Sequence, residues 1–152
     1  MIAARLLQRI ESNWEKIALA MITARNRDPG LPHYRNLSEP EIRERVLDLT
    51  TNLTLWLTTR DETALARHFE ELGRNRFAEG VPLHELIQKL ITIKSAIRHY
   101  ASEQNYSLTA VEIYDELELL RSMANYFDFV IYRVAKGYEE ARLSSHAYAL
   151  QA

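Results

Sequence analysis

Residues 113–141 read IYDELELLRSMANYFDFVIYRVAKGYEEA and carry apolar side chains at alternating intervals of four and three positions. The series is Ile113, Leu117, Leu120, Ala124, Phe127, Ile131, Val134, Tyr138 and Ala141. This spacing averages about 3.5 residues per turn, the period of a helix that supercoils against partner helices. Because neither Gly nor Pro interrupts the series before Gly137, we expect one helix of about 30 residues or more.

A second apolar stripe flanks the first one on the same helix. It consists of Leu119, Met123, Tyr126 and Val130. Two stripes predict two burial partners, namely the other helices of the chain and a second copy or adjoining domain. A plain bundle core accounts for one stripe by itself. We predict a homodimer on the basis of the other. The predicted contact residues are Phe127, Ile131, Val134 and Tyr138.

Four further helices are predicted from periodicity and from the placement of Pro and Gly. Ser38 and Asp61 are expected to cap the second and third helices, and Thr109 the last. No segment shows the alternation typical of a half-buried strand. Short connections favour antiparallel neighbours, so we expect an all-α, antiparallel bundle of about five helices with a long C-terminal helix. Residues 1–138 are assigned to the bundle and 139–152 to a C-terminal helix extension or linker.

The composition excludes several classes of function. The formal net charge is −2, which leaves no basic surplus for nucleic acid or for an anionic membrane surface. The absence of cysteine excludes disulfides, thiolate metal sites and cysteine nucleophiles. Charged residues interrupt the apolar start of the chain, and no later apolar run reaches the length of about 18 residues that a membrane span needs. We therefore expect a cytoplasmic protein that binds neither nucleic acid nor membrane.

Two histidine patterns are candidate sites of chemistry. His84 and Glu85 begin a sequence like that of zinc proteases, but Gln88 stands where the second histidine is required. We predict no metal and no catalytic residue. His68 and His99 are candidate axial ligands for a haem, although solitary histidines on amphipathic helices are usually surface residues. We predict no cofactor, and a haem-binding or small-ligand-binding helical protein remains the alternative.

Arg76 is the polar residue with the most informative position. It follows Leu72 by four residues, on the same stripe as Leu65 and Phe69. A guanidinium there could bind a carboxylate or phosphate ligand, or cross a subunit interface. Alternatively, its alkyl stem covers apolar surface while the charged head reaches water at the helix end. Both interpretations stay open, and Arg76 is the candidate ligand-binding residue.

A family resemblance rests on two segments, Gly73-Arg-Asn-Arg-Phe-Ala-Glu-Gly-Val-Pro-Leu-His-Glu-Leu86 and the earlier Tyr34-Arg-Asn-Leu-Ser-Glu-Pro-Glu41. They resemble the N-terminal sensory domains of RsbR/RsbRD-type proteins (RsbT co-antagonists), which precede output modules in bacterial stress-response regulators and in some histidine kinases. The matching motif residues are Arg76, Gly80, Pro82, Leu83 and Leu86. The resemblance implies an all-helical bundle or non-haem globin-like fold that is dimeric, without catalysis, and coupled to a downstream signalling or output domain.

The same motif residues are expected to form a corner between two helices. Gly80 is suited to end one helix, and Pro82 to begin the next. The long last helix and this corner together predict a non-catalytic bacterial sensory input domain. It is expected to dimerise and to relay a signal through its C-terminal helix.

Overall fold

The computed structural model describes residues 2–59, 61–102 and 109–151, and these ranges contain seven α-helices. They are α1 (Ile2–Ser12), α2 (Trp14–Arg27), α3 (Pro32–Arg35), α4 (Glu39–Thr58), α5 (Glu62–Ala78), α6 (Leu83–Ser102) and α7 (Ala110–Gln151). No strand occurs among the described residues. The predicted all-α class and the long C-terminal helix are therefore confirmed.

The number of helices differs from the predicted five at two places. The predicted first helix is interrupted at Asn13, whose side-chain amide donates to the Arg9 carbonyl at 2.7 Å. Asn favours such breaks because its side chain competes for backbone hydrogen bonds. The predicted loop before Ser38 also contains the one-turn helix α3, which begins at Pro32, where the fixed φ of proline suits a first helical position.

The predicted helix starts are confirmed by their caps. The Ser38 hydroxyl accepts from the Glu41 amide while the Glu41 carboxylate accepts from the Ser38 amide, which is a complete capping box. Asp61 accepts from the Ala64 amide at 3.1 Å. At the start of α7, the Glu112 amide donates to the Thr109 hydroxyl at 3.3 Å. These caps fix where α4, α5 and α7 begin.

Burial on α7 follows the flanking stripe more closely than the 4-3 series. Leu119, Met123, Tyr126 and Val130 are all buried. Ile113 and Leu117, the first members of the 4-3 series, are instead 47% and 57% exposed. A straight α-helix drifts by about 20° per heptad relative to a 3.5-residue repeat. The series therefore starts on the exposed side of α7 and rotates into the core by Phe127.

The closest helix pair is α5 with α7, and the two run in the same direction. Along the pair, Phe69 contacts Tyr126, Gly73 faces Val134, and Phe77 contacts Tyr138. Antiparallel order, predicted for neighbours in sequence, thus does not extend to this pair, which is separated in sequence by α6.

The last helix is long relative to the part of it that is buried. It has 42 residues and a length of about 63 Å at 1.5 Å per residue. Its side chains are exposed from Arg142 to Gln151. The division of the chain at residue 138 stays a prediction. Within the described ranges, no helix has both the length and the apolar character needed to cross a membrane.

Candidate functional site

The corner between α5 and α6 has the geometry expected from the sequence. Gly80 adopts a φ of 78°, a left-handed conformation that glycine tolerates at no steric cost. Its amide donates to the Phe77 carbonyl at 3.0 Å, and the Val81 amide donates to the Arg76 carbonyl at 3.1 Å. This pair of bonds is the Schellman ending of a helix. Pro82 precedes α6, and its carbonyl accepts the Leu86 amide at 3.1 Å.

Beside this corner lies a cavity of about 590 Å³ formed by residues of α4, α5 and α6, together with Glu79. This size is within the range of small-molecule sites, about 300–1,000 Å³. The lining residues are Glu41, Glu44, Arg45, Leu47, Asp48, Leu49, Thr51, His68, Phe69, Leu72, Arg76, Glu79, Lys89 and Leu90. The cavity therefore brings the candidate residue Arg76 together with two further cations, Arg45 and Lys89.

A single carboxylate bridges the two arginines of the cavity. Glu79 accepts from Arg76 Nη1 through Oε1 at 2.9 Å, and its Oε2 lies 3.4 Å from Arg45 Nη2. The side chain of Arg76 is only 12% exposed, whereas that of Glu79 is 42% exposed. Arg76 Nε is buried without a hydrogen-bond partner. Burial lowers the pKa of Arg45, and the neighbouring Arg76 guanidinium lowers it further.

Lys89 is the third cation and the most buried of them. The residue is 6% exposed and makes no ion pair with any carboxylate in the described part of the chain. Its Nζ lies 5.7 Å from the centroid of the buried Tyr34 ring, within the range of a cation–π contact. Burial, reinforced by Arg45 and Arg76, holds the pKa of Lys89 well below its ordinary value of 10.5.

The buried carboxylate of Glu85, on the same helix as Lys89, attaches α3 to α6. Glu85 Oε1 accepts the Tyr34 amide at 2.8 Å, while Glu85 Oε2 has no hydrogen-bond partner. Burial raises the pKa of Tyr34 to about 12. The two segments that carry the family resemblance in the sequence are thus in direct contact in the fold. His84 and Glu85 do not belong to one site, because His84 is exposed and Glu85 is buried.

The opposite end of the cavity contains one of the two candidate haem ligands. His68 Nε2 lies 2.9 Å from Asp48 Oδ2 and 3.4 Å from the side-chain amide of Asn52. Its imidazole therefore already has polar partners. His99 is exposed near the end of α6 and does not line this cavity. The two histidines do not face a common site.

The four predicted contact residues of α7 lie mainly within the protomer. Phe127 and Val134 are fully buried, and Ile131 is half-buried against the core. Tyr138 is buried and its hydroxyl donates to the Val81 carbonyl at 2.6 Å. Phe127, Val134 and Tyr138 thus have little or no surface to offer a second copy, because the chain's own helices cover them. Dimerisation itself stays a prediction.

A comparison with protein families matches residues 4–150 to the RsbT co-antagonist protein RsbRD N-terminal domain. The chain belongs to this family. The resemblance carried by residues 73–86 is thereby confirmed across nearly the whole sequence. Comparisons with curated proteins and with solved structures gave no match. A co-antagonist is a regulatory component, so this RsbRD N-terminal domain is a signalling domain of a family that works with partner signalling proteins.

Sequence reasoning found one cation of the RsbRD N-terminal domain's cavity and missed two. Arg45 lies between Ile42 and Leu49 on the buried stripe of α4, and Lys89 lies between Leu86 and Ile93 on that of α6. A charge within an apolar stripe is the signal that identifies Arg76 in the sequence. The same signal marks the other two, but only the fold shows that all three face one cavity.

Proposed function

We propose that this chain is a non-catalytic sensory input domain in which the cavity beside the α5–α6 corner is coupled to α7. One observation carries the proposal: the Tyr138 hydroxyl of α7 donates to the carbonyl of Val81, the residue that follows Gly80 in the corner. Arg76 and Glu79 stand at the other side of the same corner and line the cavity. A change in the position of Arg76 or Glu79 can therefore reach Tyr138 of α7 through the corner.

The second support is that α5 both lines the cavity and packs against α7, on adjacent faces of the same helix. Phe69, Leu72 and Arg76 line the cavity. Glu70 faces α7 and pairs with Arg133 Nη1 at 3.1 Å and Lys136 Nζ at 3.3 Å. Because packed helices move as rigid elements, a shift of α5 is expected to displace α7 as well.

The relay is tested by hydrogen–deuterium exchange on four chains in a double-mutant cycle. Glu79→Gln weakens the bridge between the arginines, and Tyr138→Phe removes the bond to the corner. We expect Glu79→Gln to change exchange along residues 131–141 of α7, and this change to be reduced when Tyr138→Phe is also present. Equal effects of Glu79→Gln with and without the Tyr138 hydroxyl would contradict the relay.

We further propose that the domain dimerises through the exposed end of α7 rather than through Phe127. Leu143 and Leu150 are 54% and 75% exposed and lie one heptad apart, with Ala147 between them at the 4-3 spacing of a coiled coil. A second copy of the helix would bury both leucines. A protomer joined to its copy in this way could pass a movement of α7 on to an output domain.

Sedimentation velocity over a range of concentrations tests the dimer. We expect the wild-type chain to dimerise and Leu143→Glu/Leu150→Glu to be monomeric. Ser144→Glu/Ser145→Glu adds the same two charges on other faces of the helix and is expected to leave the dimer intact. A wild-type chain that stays monomeric at all concentrations, or equal dissociation in both variants, would exclude this interface.

We also propose that the domain is located in the cytoplasm.

A haem would be a second candidate occupant of the cavity because His68 lines it. Binding would require His68 to leave Asp48, with which it pairs at 2.9 Å. Absorption in the Soret region after addition of haemin, compared between the wild type and His68→Ala, decides this alternative. Soret absorption that depends on His68 would support it.

A further inference from the structure

We propose that the cavity bounded by α4, α5 and α6 binds a small organic carboxylate whose anionic end lies among Arg45, Arg76 and Lys89. This inference deepens the proposed function by naming the class of ligand. Binding can be measured without reference to α7, so its failure and that of the relay are distinguishable.

The first argument is that the cavity already holds a carboxylate of the chain. Glu79 lies between the two guanidiniums at 2.9 Å from Arg76 and 3.4 Å from Arg45. The longer contact is near the limit of a hydrogen bond, and Arg76 Nε remains without a partner. Displacement of Glu79, whose side chain is 42% exposed, would release the donors that it now occupies on both arginines for the carboxylate of a ligand.

The second argument is the imbalance of charge at this end of the cavity. Lys89 is buried without an ion pair, and this lowers the stability of the fold unless an anion compensates the charge. The other carboxylates of the lining are bound elsewhere or exposed. Glu41 accepts from Ser38 and is also attracted by Arg45 and Arg76, Asp48 pairs with His68, and Glu44 is exposed to solvent. Glu85 attracts Lys89 but does not line this cavity, and it accepts the Tyr34 amide.

The third argument concerns the body of the ligand. Leu47 and Leu72 provide apolar walls that solvent reaches, since Leu47 is 41% exposed and Leu72 is half-buried. Inorganic phosphate would satisfy the cations but leave these walls in contact with water. An organic acid would cover them while its carboxylate takes the bidentate geometry that arginine favours.

Calorimetric titration with acetate, hexanoate, benzoate and succinate tests the proposal, with hexanol, benzyl alcohol and inorganic phosphate as comparison probes. We expect saturable binding of at least one of the carboxylates with an apolar body, and at least tenfold weaker binding of the matched alcohol. Binding of none of the four carboxylates, equal binding of alcohol and acid, or binding of phosphate alone would each overturn the proposal.

Variants of the wild-type chain locate the site. Arg76→Met and Lys89→Met are each expected to weaken carboxylate binding at least tenfold, and Arg76→Lys to weaken it less than Arg76→Met. Glu79→Gln removes the competing carboxylate and is expected to tighten binding. Arg43→Met is the matched control, since Arg43 is exposed on α4 and does not line the cavity. An equal loss in Arg43→Met, or unchanged binding in both Arg76→Met and Lys89→Met with circular dichroism of a folded chain, would place binding elsewhere.

Discussion

Gly73 of α5 and Gly137 of α7 let the backbones of these two helices touch. A methyl group on Gly73 would lie 2.0 Å from the Val134 carbonyl oxygen, and one on Gly137 would lie 1.9 Å from the Glu70 carbonyl oxygen. Neither distance is compatible with a side chain unless the helices separate. The two glycines therefore set the spacing of the pair through which we propose that the signal passes.

Gly137→Ala is accordingly expected to destabilise the domain. Alanine improves helix propensity by about 1 kcal/mol, but overpacking against backbone typically costs about 1–3 kcal/mol and here exceeds that gain. We expect a net loss of about 1–2 kcal/mol in the free energy of unfolding, measured by urea denaturation. Gly30→Ala is the control, since a methyl there meets only the Asp28 side chain, at 3.1 Å from its nearest atom. Equal effects of the two substitutions would mean that α5 and α7 separate easily.

Tyr126→Phe removes a buried hydrogen bond between α7 and α4. The Tyr126 hydroxyl donates to the Leu49 carbonyl at 2.8 Å, and both residues are buried. Because a buried acceptor loses its partner, we expect a loss of about 1–2 kcal/mol in the free energy of unfolding. Tyr132→Phe removes the same group from an exposed position of α7 and is expected to change stability by less than about 0.5 kcal/mol. Equal losses would indicate that the hydroxyl bond to Leu49 contributes little.

The helices could be predicted from the sequence because their signals are local. The Ser38 capping box, the Asp61 cap and the Gly80 ending depend on a few neighbouring residues, and all three occur as predicted. The buried face of α7 was harder to predict. The 4-3 series and the flanking stripe lie on adjacent sides of α7, less than one turn of rotation apart. Packing against α5 decides which of these sides is buried.

The cavity could not be derived from the sequence because it depends on the relative placement of three helices. Arg76 can be identified from its position on an apolar stripe, but Arg45 and Lys89, which line the same cavity, are 31 and 13 residues away in the chain. The contact between Glu85 and Tyr34 is also long-range, spanning 51 residues. Only the fold brings these groups together.

Lys89→Met is expected to raise the free energy of unfolding at neutral pH. Replacing a buried unpaired charge by an apolar side chain of similar size is expected to stabilise the fold by about 1–4 kcal/mol. The effect depends on pH. The unfolded chain keeps the lysine proton up to about pH 10.5, whereas the folded chain releases it at lower pH, because burial together with Arg45 and Arg76 outweighs the attraction of Glu79 and Glu85.

The relevant pH window lies between the pKa of Lys89 in the folded chain and its pKa of about 10.5 in the unfolded chain. Within this window the unfolded state binds more protons, so the free energy of unfolding of the wild type rises with pH relative to that of Lys89→Met. Below the window both states hold the proton and the full cost of burying the charge opposes folding. Urea denaturation of both chains at neutral pH and near pH 10 should show the difference between them shrinking. Lys94→Met, on the same helix but outside this cavity, controls for loss of a lysine. A difference that is constant with pH would show that Lys89 stays protonated in the fold.

Glu85→Ala is expected to loosen α3 from α6. It leaves the Tyr34 amide, which now donates to Glu85 at 2.8 Å in a buried position, without an acceptor, at a cost of about 1–3 kcal/mol. Glu85→Gln keeps a carbonyl oxygen at the same position and is expected to lose less. Hydrogen exchange at the Tyr34 amide reports this bond directly, and we expect protection to fall in Glu85→Ala and to be largely retained in Glu85→Gln. Glu44→Ala, an exposed carboxylate of α4, is the control. Unchanged protection in Glu85→Ala would mean that the burial of Tyr34, and not the carboxylate of Glu85, holds α3 in place.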